Sequence, residues 1–284
     1  MMTIEAPAKV NLTLEVLGER SDGYHALRSV VLPISLGDTL TVTVTADGAI
    51  MSDSGYPDDL CVKAARTLRT AVGGTRGADI RIVKRIPVGG GLGGGSADAA
   101  ATLIALNELW GCGLGRARLA EIGAAVGSDV PALVFGRDGG AVLMEGRGER
   151  VSPLAAMPLD LVLVNPGVFS STKEVYARCT ARRADDPNAT AALAAALAAG
   201  DLRGVTAALA NDLQPPAEAL HPEITAALAA LRTAGAAGVL MSGSGSTVFG
   251  VMPSRAAADD LAGVLRTRGY WAEGVTGGGL PGQR

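Results

Sequence analysis

The chain has 284 residues, which at roughly 150 residues per domain means one large domain or two modest ones. Lys and Arg number 25 against 28 Asp and Glu, a net charge of −3, and aromatic residues make up 3%; a nucleic-acid surface needs a basic excess and stacking rings, so no nucleic-acid partner is expected. Hydrophobic residues at 48% supply a core and exclude global disorder.

Three cysteines, Cys61, Cys112 and Cys179, are widely spaced and odd in number, which argues against a disulfide framework or a zinc site. The first residues, Met-Met-Thr-Ile-Glu-Ala-Pro, lack the basic and apolar regions of a signal peptide. The apolar stretch from Ala189 breaks at Gly200-Asp201, too short to span a bilayer. The expectation is a soluble cytoplasmic protein with no membrane partner.

In chain order, Val10, Leu12, Leu14 and Val16 alternate onto one face, as do Leu40, Val42 and Val44, and both segments are predicted strands. A polar turn over 18–25 lies between them. A helix is predicted from about Asp58, with Leu60, Ala64, Leu68 and Val72 on one stripe and Gly73-Gly74 as its stop. A short strand over 79–84 leads into a glycine-rich segment and then an apolar helix ending at Trp110-Gly111. Further helices are predicted around 119–126, from Val130, and over 172–180, 189–199, 203–211, 222–234 and 255–267. Strands are predicted over 140–144, 159–164, 237–242, 246–252 and 270–275, followed by a frayed tail over 277–284. Composition shifts from strand-rich to Ala-rich after about residue 153, so the chain divides into 1–153 and 154–284, two intimately packed α+β units.

Six glycines occupy the seven positions from Gly89 to Gly95. Backbone N–H groups without side chains around them can wrap phosphate oxygens, and the helix that follows aims its positive dipole end at the same place. Ser96 stands where an N-cap belongs, and Asp98, in the first turn, is expected to point away from a phosphate or toward a metal. A ligand-free loop is disfavoured by the entropic cost of so many glycines. Gly89, Gly91 and Gly94 match the dinucleotide-binding pattern, but no acidic residue follows at the right distance, and no Gly-Lys-Ser/Thr closes a P-loop.

The segment Pro87-Val-Gly-Gly-Gly-Leu-Gly-Gly-Gly-Ser96 resembles the second motif of the GHMP kinases (galactokinase, homoserine, mevalonate and phosphomevalonate kinases), Pro-x-Gly-x-Gly-Leu-Gly-Ser-Ser. Ala6-Pro-Ala-Lys-Val-Asn-Leu12, Arg20-Ser-Asp-Gly-Tyr-His25 and Gly127-Ser-Asp-Val-Pro131 agree with the branch that acts on a cytidine-bearing acceptor, and Met241–Phe249 resembles the family's third motif. The resemblance implies a two-domain α+β GHMP kinase fold with the active site in the cleft between domains. It implies transfer of phosphate from ATP, with Mg²⁺ carried on the ATP, to the 2-hydroxyl of a cytidine diphosphate-linked branched tetritol on the non-mevalonate route to isoprenoids.

By the same resemblance, Pro87, Val88, Gly89, Gly90, Gly91, Leu92, Gly93, Gly94, Gly95, Ser96 and Ala97 bind ATP. Lys9 and Asp129 are catalytic: the aspartate is the base and the lysine supplies charge. Tyr24, His25 and Tyr176 read the cytosine, with Asn11 and Thr172 as polar contacts nearby. Ordinary alternatives stand beside these roles: Lys9 as a solvated strand lysine, Asp129 as the cap of a short helix, His25 as a surface loop residue. Asp59 stands where that branch usually has Asn, which puts the adenine contacts in question. A nucleotide-binding scaffold without chemistry is the competing class, and retention of both Lys9 and Asp129 argues against it.

Overall fold

The computed structural model describes residues 1–21, 23, 25–182 and 187–278; Asp22, Tyr24 and the last six positions of the expected tail lie outside the described residues. In chain order the elements are β1 (Met2–Asn11), β2 (Thr13–Glu19), β3 (His25–Thr45), β4 (Ile50–Ser52), α1 (Leu60–Val72), β5 (Gly77–Val83), α2 (Gly94–Leu109), α3 (Arg116–Ala124) and α4 (Val130–Phe135). They continue with β6 (Ala141–Gly146), β7 (Arg150–Leu154), β8 (Leu159–Asn165), α5 (Thr172–Tyr176), α6 (Ala189–Ala199), α7 (Leu202–Ala208), β9 (Ala210–Asn211) and α8 (Gln214–Leu220). The last are α9 (Pro222–Thr233), β10 (Val239–Met241), β11 (Val248–Met252), α10 (Arg255–Thr267) and β12 (Trp271–Gly277).

The hub of the sheet is β3. Its 21 residues pair antiparallel with β1, β2, β5 and β6, and at Ile34 with Gly277 of β12. From β12 the sheet continues through β8 and β11 to β10, so a continuous ladder ties the early strands to the late ones. Every residue of α2 from Ala97 through Leu103 is buried. Its run of alanines lets this helix lie close against β1, β3, α1 and α4, as an all-round apolar helix must. One apolar cluster joins Leu12, Leu32 and Leu103 to Leu161 and Phe249; a second joins Val16 and Val164 to Leu228 and Leu265.

Two predicted helices, 189–199 and 255–267, have the predicted bounds because their ends carry local signals. Asn188 accepts from the Ala191 amide and Ser254 from the Ala257 amide, while Gly200 closes α6 in the left-handed region. Elsewhere tertiary pairing overrides local pattern. The helix expected over 203–211 stops at Ala208 because Ala210 and Asn211 pair in parallel with Thr13 and Leu14. The helix expected over 172–180 stops at Tyr176, and neither β7 nor α8 is among the predicted elements. Among the described residues, no helix is long and apolar enough to cross a membrane.

Candidate active site

The glycine loop connects β5 to α2. Its anchor is Asp38, whose Oδ1 accepts from the amides of Arg85 and Ile86 just before the loop. Gly89, Gly91 and Gly93 take positive φ (+68°, +76° and +70°), and this alternation turns successive amides toward one side. The carbonyls face the protein. Gly90 O accepts from the Thr247 amide at 3.1 Å, and Leu92 O from the Lys9 amide at 3.0 Å. Gly91 O accepts from Lys9 Nζ (3.1 Å) and Ser242 Oγ (3.0 Å). Among the described residues, none accepts a hydrogen bond from any amide of residues 89–96. The loop therefore presents donors to the cleft and commits its acceptors to the fold, the polarity an anion needs.

The start of α2 corrects one expectation. The helix begins at Gly94 with Gly93 at the cap, so Ser96 lies within the first turn and does not cap it. Asp98 lies against the same cleft beside Lys84, and its Oδ2 accepts from Lys84 Nζ at 2.7 Å.

The motif over 241–249 forms the wall behind the loop. Ser242 Oγ also accepts from the Asn11 amide, and Asn211 Nδ2 donates to the carbonyls of Met241 and Gly243, both at 2.8 Å. Thr247 Oγ1 accepts from Asn165 Nδ2 at 3.0 Å. Asn165, Lys84 and Asp38 are absent from the residues expected above, and Thr247 appears there only within the 241–249 motif. Lys84 carries a local signal, a cation at the strand end just before the loop; the partners of Asn165 and Asp38 are remote in sequence.

Lys9 is not a solvated strand lysine. It is 3% exposed, and a register shift in the β1–β3 ladder between Pro7 and Lys9 re-aims the strand at this point. Its ammonium donates to Asn11 Oδ1 at 2.6 Å and lies 3.4 Å from Asp129 Oδ2. Asp129 occupies the cap position of α4 yet makes no side-chain cap bond, so the capping alternative fails. Its carboxylate, 29% exposed, faces Lys9 and the cleft, with Gly93 between the two side chains. Asn11 is buried, and its Nδ2 donates to Ser29 Oγ at 2.9 Å.

Also on the cleft lining, the rings of His25 and Tyr176 lie with centroids 5.0 Å apart at 36°. Burial pushes the Tyr176 phenol pKa up, and the nearby Asp129 carboxylate pushes it further, so the hydroxyl stays neutral. Thr172 is exposed, with Oγ1 2.8 Å from Ser244 Oγ. Asp59 caps α1: its carboxylate accepts from the amides of Cys61 and Val62 and from Ser54 Oγ. Burial alone would raise its pKa, but these bonds outweigh burial and hold it below the usual value.

The loop, Lys9, Asp129, His25, Thr172 and Tyr176 all line one cleft of about 1230 Å³. Single-ligand sites commonly run to roughly 1,000 Å³, so this volume suits two ligands meeting end to end.

Residues 59–137 match the GHMP kinases N terminal domain and residues 193–270 the GHMP kinases C terminal. The 4-diphosphocytidyl-2-C-methyl-D-erythritol kinase of Symbiobacterium thermophilum is 46% identical over 281 residues, covering 95% of this chain and 98% of its own. The protein of the same name from Pelotomaculum thermopropionicum is 44% identical, covering 94% of each chain. A crystal structure of 4-(cytidine 5'-diphospho)-2C-methyl-D-erythritol kinase superposes with a TM-score of 0.82 at 37% identity, covering 98% of this chain and 100% of that one. With both family domains matched in order and relatives this similar along nearly the whole length, the chain belongs to the GHMP kinases.

Proposed function

We propose that this kinase transfers the γ-phosphoryl group of ATP to the 2-hydroxyl of 4-diphosphocytidyl-2-C-methyl-D-erythritol, a step in non-mevalonate isoprenoid precursor synthesis. The observation that carries the reading is the Lys9–Asp129 pair, 3.4 Å apart, beside Gly93 at the helix end of an amide-lined loop. The name shared by the relatives above supports the choice of acceptor.

In this reading residues 87–97 hold the triphosphate, with its γ-phosphorus presented toward Lys9 and Asp129. Asp129 takes the proton of the acceptor hydroxyl as its oxygen bonds to the γ-phosphorus and the bond to the β,γ-bridging oxygen breaks, releasing ADP. The charge of Lys9 keeps Asp129 ionised and offsets the negative charge that builds on the transferred group. Mg²⁺ travels on the ATP; the Ser96 hydroxyl on the cleft wall is a hard oxygen donor suited to it, and the bound ion neutralises phosphate charge. His25 and Tyr176 receive the cytosine together with Tyr24, and Asn11 and Thr172 are polar contacts of the acceptor. We read the chain as two units, 1–153 and 154–284, and the two family-model matches fall on either side of that division.

The test is turnover with ATP and Mg²⁺ on the cytidyl acceptor, on mevalonate and on homoserine. Turnover on either of the last two alone would assign the chain to another branch of the family. Tyr176→Ala is expected to raise the acceptor KM by about 5- to 150-fold, the value of roughly 1–3 kcal/mol of base stacking. The KM for ATP should not move, and Tyr176→Phe should restore acceptor binding. Steady-state kinetics in both substrates checks it.

A further inference from the structure

In the reading above the acceptor is itself an anion, with a diphosphate between its cytidine and its branched tetritol, while the glycine-loop amides serve ATP. Counter-charge for this second anion must come from another part of the cleft. Among the described residues that line it, the basic side chains besides His25 are Lys9, Lys84, Arg147 and Lys173. Lys9 and Lys84 stand against the glycine loop, 3.0 Å and 3.5 Å from where a Cβ on Gly93 or Gly94 would be. Lys173 is exposed, where an ammonium is strongly hydrated and screened by salt. Arg147 is half-buried and lies outside every motif noted in the sequence.

The backbone around Arg147 fixes where it stands. It belongs to the turn between β6 and β7, and the two glycines that flank it tie this turn to two parts of the site. On one side Gly146 pairs with Leu27 of β3, two residues from His25. On the other, a Cβ on Gly148 would collide with the Ser128 backbone, next to Asp129, and φ there is +115°. Only glycine brings the turn this close. Glu149 closes it: one carboxylate oxygen accepts from the Arg147 amide at 2.6 Å and the other from Arg20 at 3.3 Å. Arg147 is thus held between the proposed cytosine contact and the proposed base, where the covalent order of the acceptor puts its diphosphate.

We propose that the Arg147 guanidinium binds the diphosphate of the acceptor and selects for acceptors that carry one. A guanidinium presents its N–H donors in a planar fork that meets two phosphate oxygens at once. The diphosphate is not the group transferred, so its charge is the same before and during the transfer. The contact therefore belongs to binding, and its loss should appear in the acceptor KM with kcat little changed.

The inference rests on the acceptor assigned above, and calorimetry separates the two. The probes are cytidine diphosphate glycerol, which has the same doubly substituted diphosphate, and cytidine. Both are titrated into protein saturated with adenosine 5′-(β,γ-imido)triphosphate, so that the glycine loop is occupied. Arg147→Gln should weaken binding of cytidine diphosphate glycerol by at least about tenfold, the loss of a charge-assisted hydrogen bond. Affinity for cytidine and for the ATP analogue should stay at the wild-type value. Arg147→Lys keeps the charge and loses the fork, so it should fall between wild type and Arg147→Gln; it carries the test if Arg147→Gln does not fold. Lys173→Met should cost less than Arg147→Gln. Wild-type affinity for cytidine diphosphate glycerol in Arg147→Gln (or in Arg147→Lys, if that variant stands in), equal loss of both probes, or a larger loss in Lys173→Met overturns the proposal. So does a loss of ATP-analogue affinity that exceeds the loss for cytidine diphosphate glycerol. A wild type that binds neither cytidine probe overturns the acceptor reading itself.

Discussion

Asp129→Asn is expected to lower kcat by roughly 10²- to 10⁴-fold, the usual range for removing a general base, while the KM for ATP changes little. The side chain keeps its shape and loses its ability to take a proton. Folding should survive, because Asp129 makes no cap bond to α4, and Lys9 keeps its bonds to Asn11 and Gly91 O. A rapid-quench measurement of the chemical step, with a melting curve beside it, distinguishes lost chemistry from lost fold. Near-normal turnover in a folded Asp129→Asn variant would remove Asp129 from the mechanism and leave Lys9 as a purely structural cation.

The second large effect is expected at Gly91. A Cβ there would sit 2.2 Å from the Ser242 carbonyl oxygen and 2.9 Å from that of Gly245, both backbone atoms, and φ is +76°. Gly91→Ala must therefore push the glycine loop and the 241–249 turn apart. The bonds from Ser242 Oγ and Lys9 Nζ to Gly91 O stretch with them. ATP binding should fall by about two orders of magnitude, roughly 3 kcal/mol, read by calorimetry, and the melting temperature should drop as well. Gly95→Ala is the folding control: its Cβ meets only Leu60 at 3.4 Å, inside a helix, where alanine gains roughly 0.5–1 kcal/mol over glycine.

Much of the architecture was legible because it is written locally. The ends of α6 and α10 are marked by Asn188, Gly200 and Ser254, whose bonds reach no further than the adjoining turn. The glycine loop is legible for the same reason, since only a run of glycines leaves the backbone free to take positive φ wherever the fold requires it, here at Gly89, Gly91 and Gly93. Other features resisted reading. The strand β3 runs through Pro33 and Gly37 to a length that no local pattern marks, because five neighbouring strands bond to it. The stretch at Ala210 and Asn211 reads as helix and becomes strand, because β2 offers it backbone partners and Asn211 ties down the carbonyls of Met241 and Gly243.

From the order of residues alone follow a glycine-rich loop, the helix after it, and the succession of motifs that marks a GHMP kinase. It takes the folded chain to bury Lys9 against Asp129, to draw Ser96 inside the helix, and to set Lys84 between two carboxylates. The difference is one of range. Backbone conformation and helix caps are set by residues a few positions apart, whereas a buried charge is set by whichever partners the fold delivers, here 46 positions away for Lys84 and Asp38.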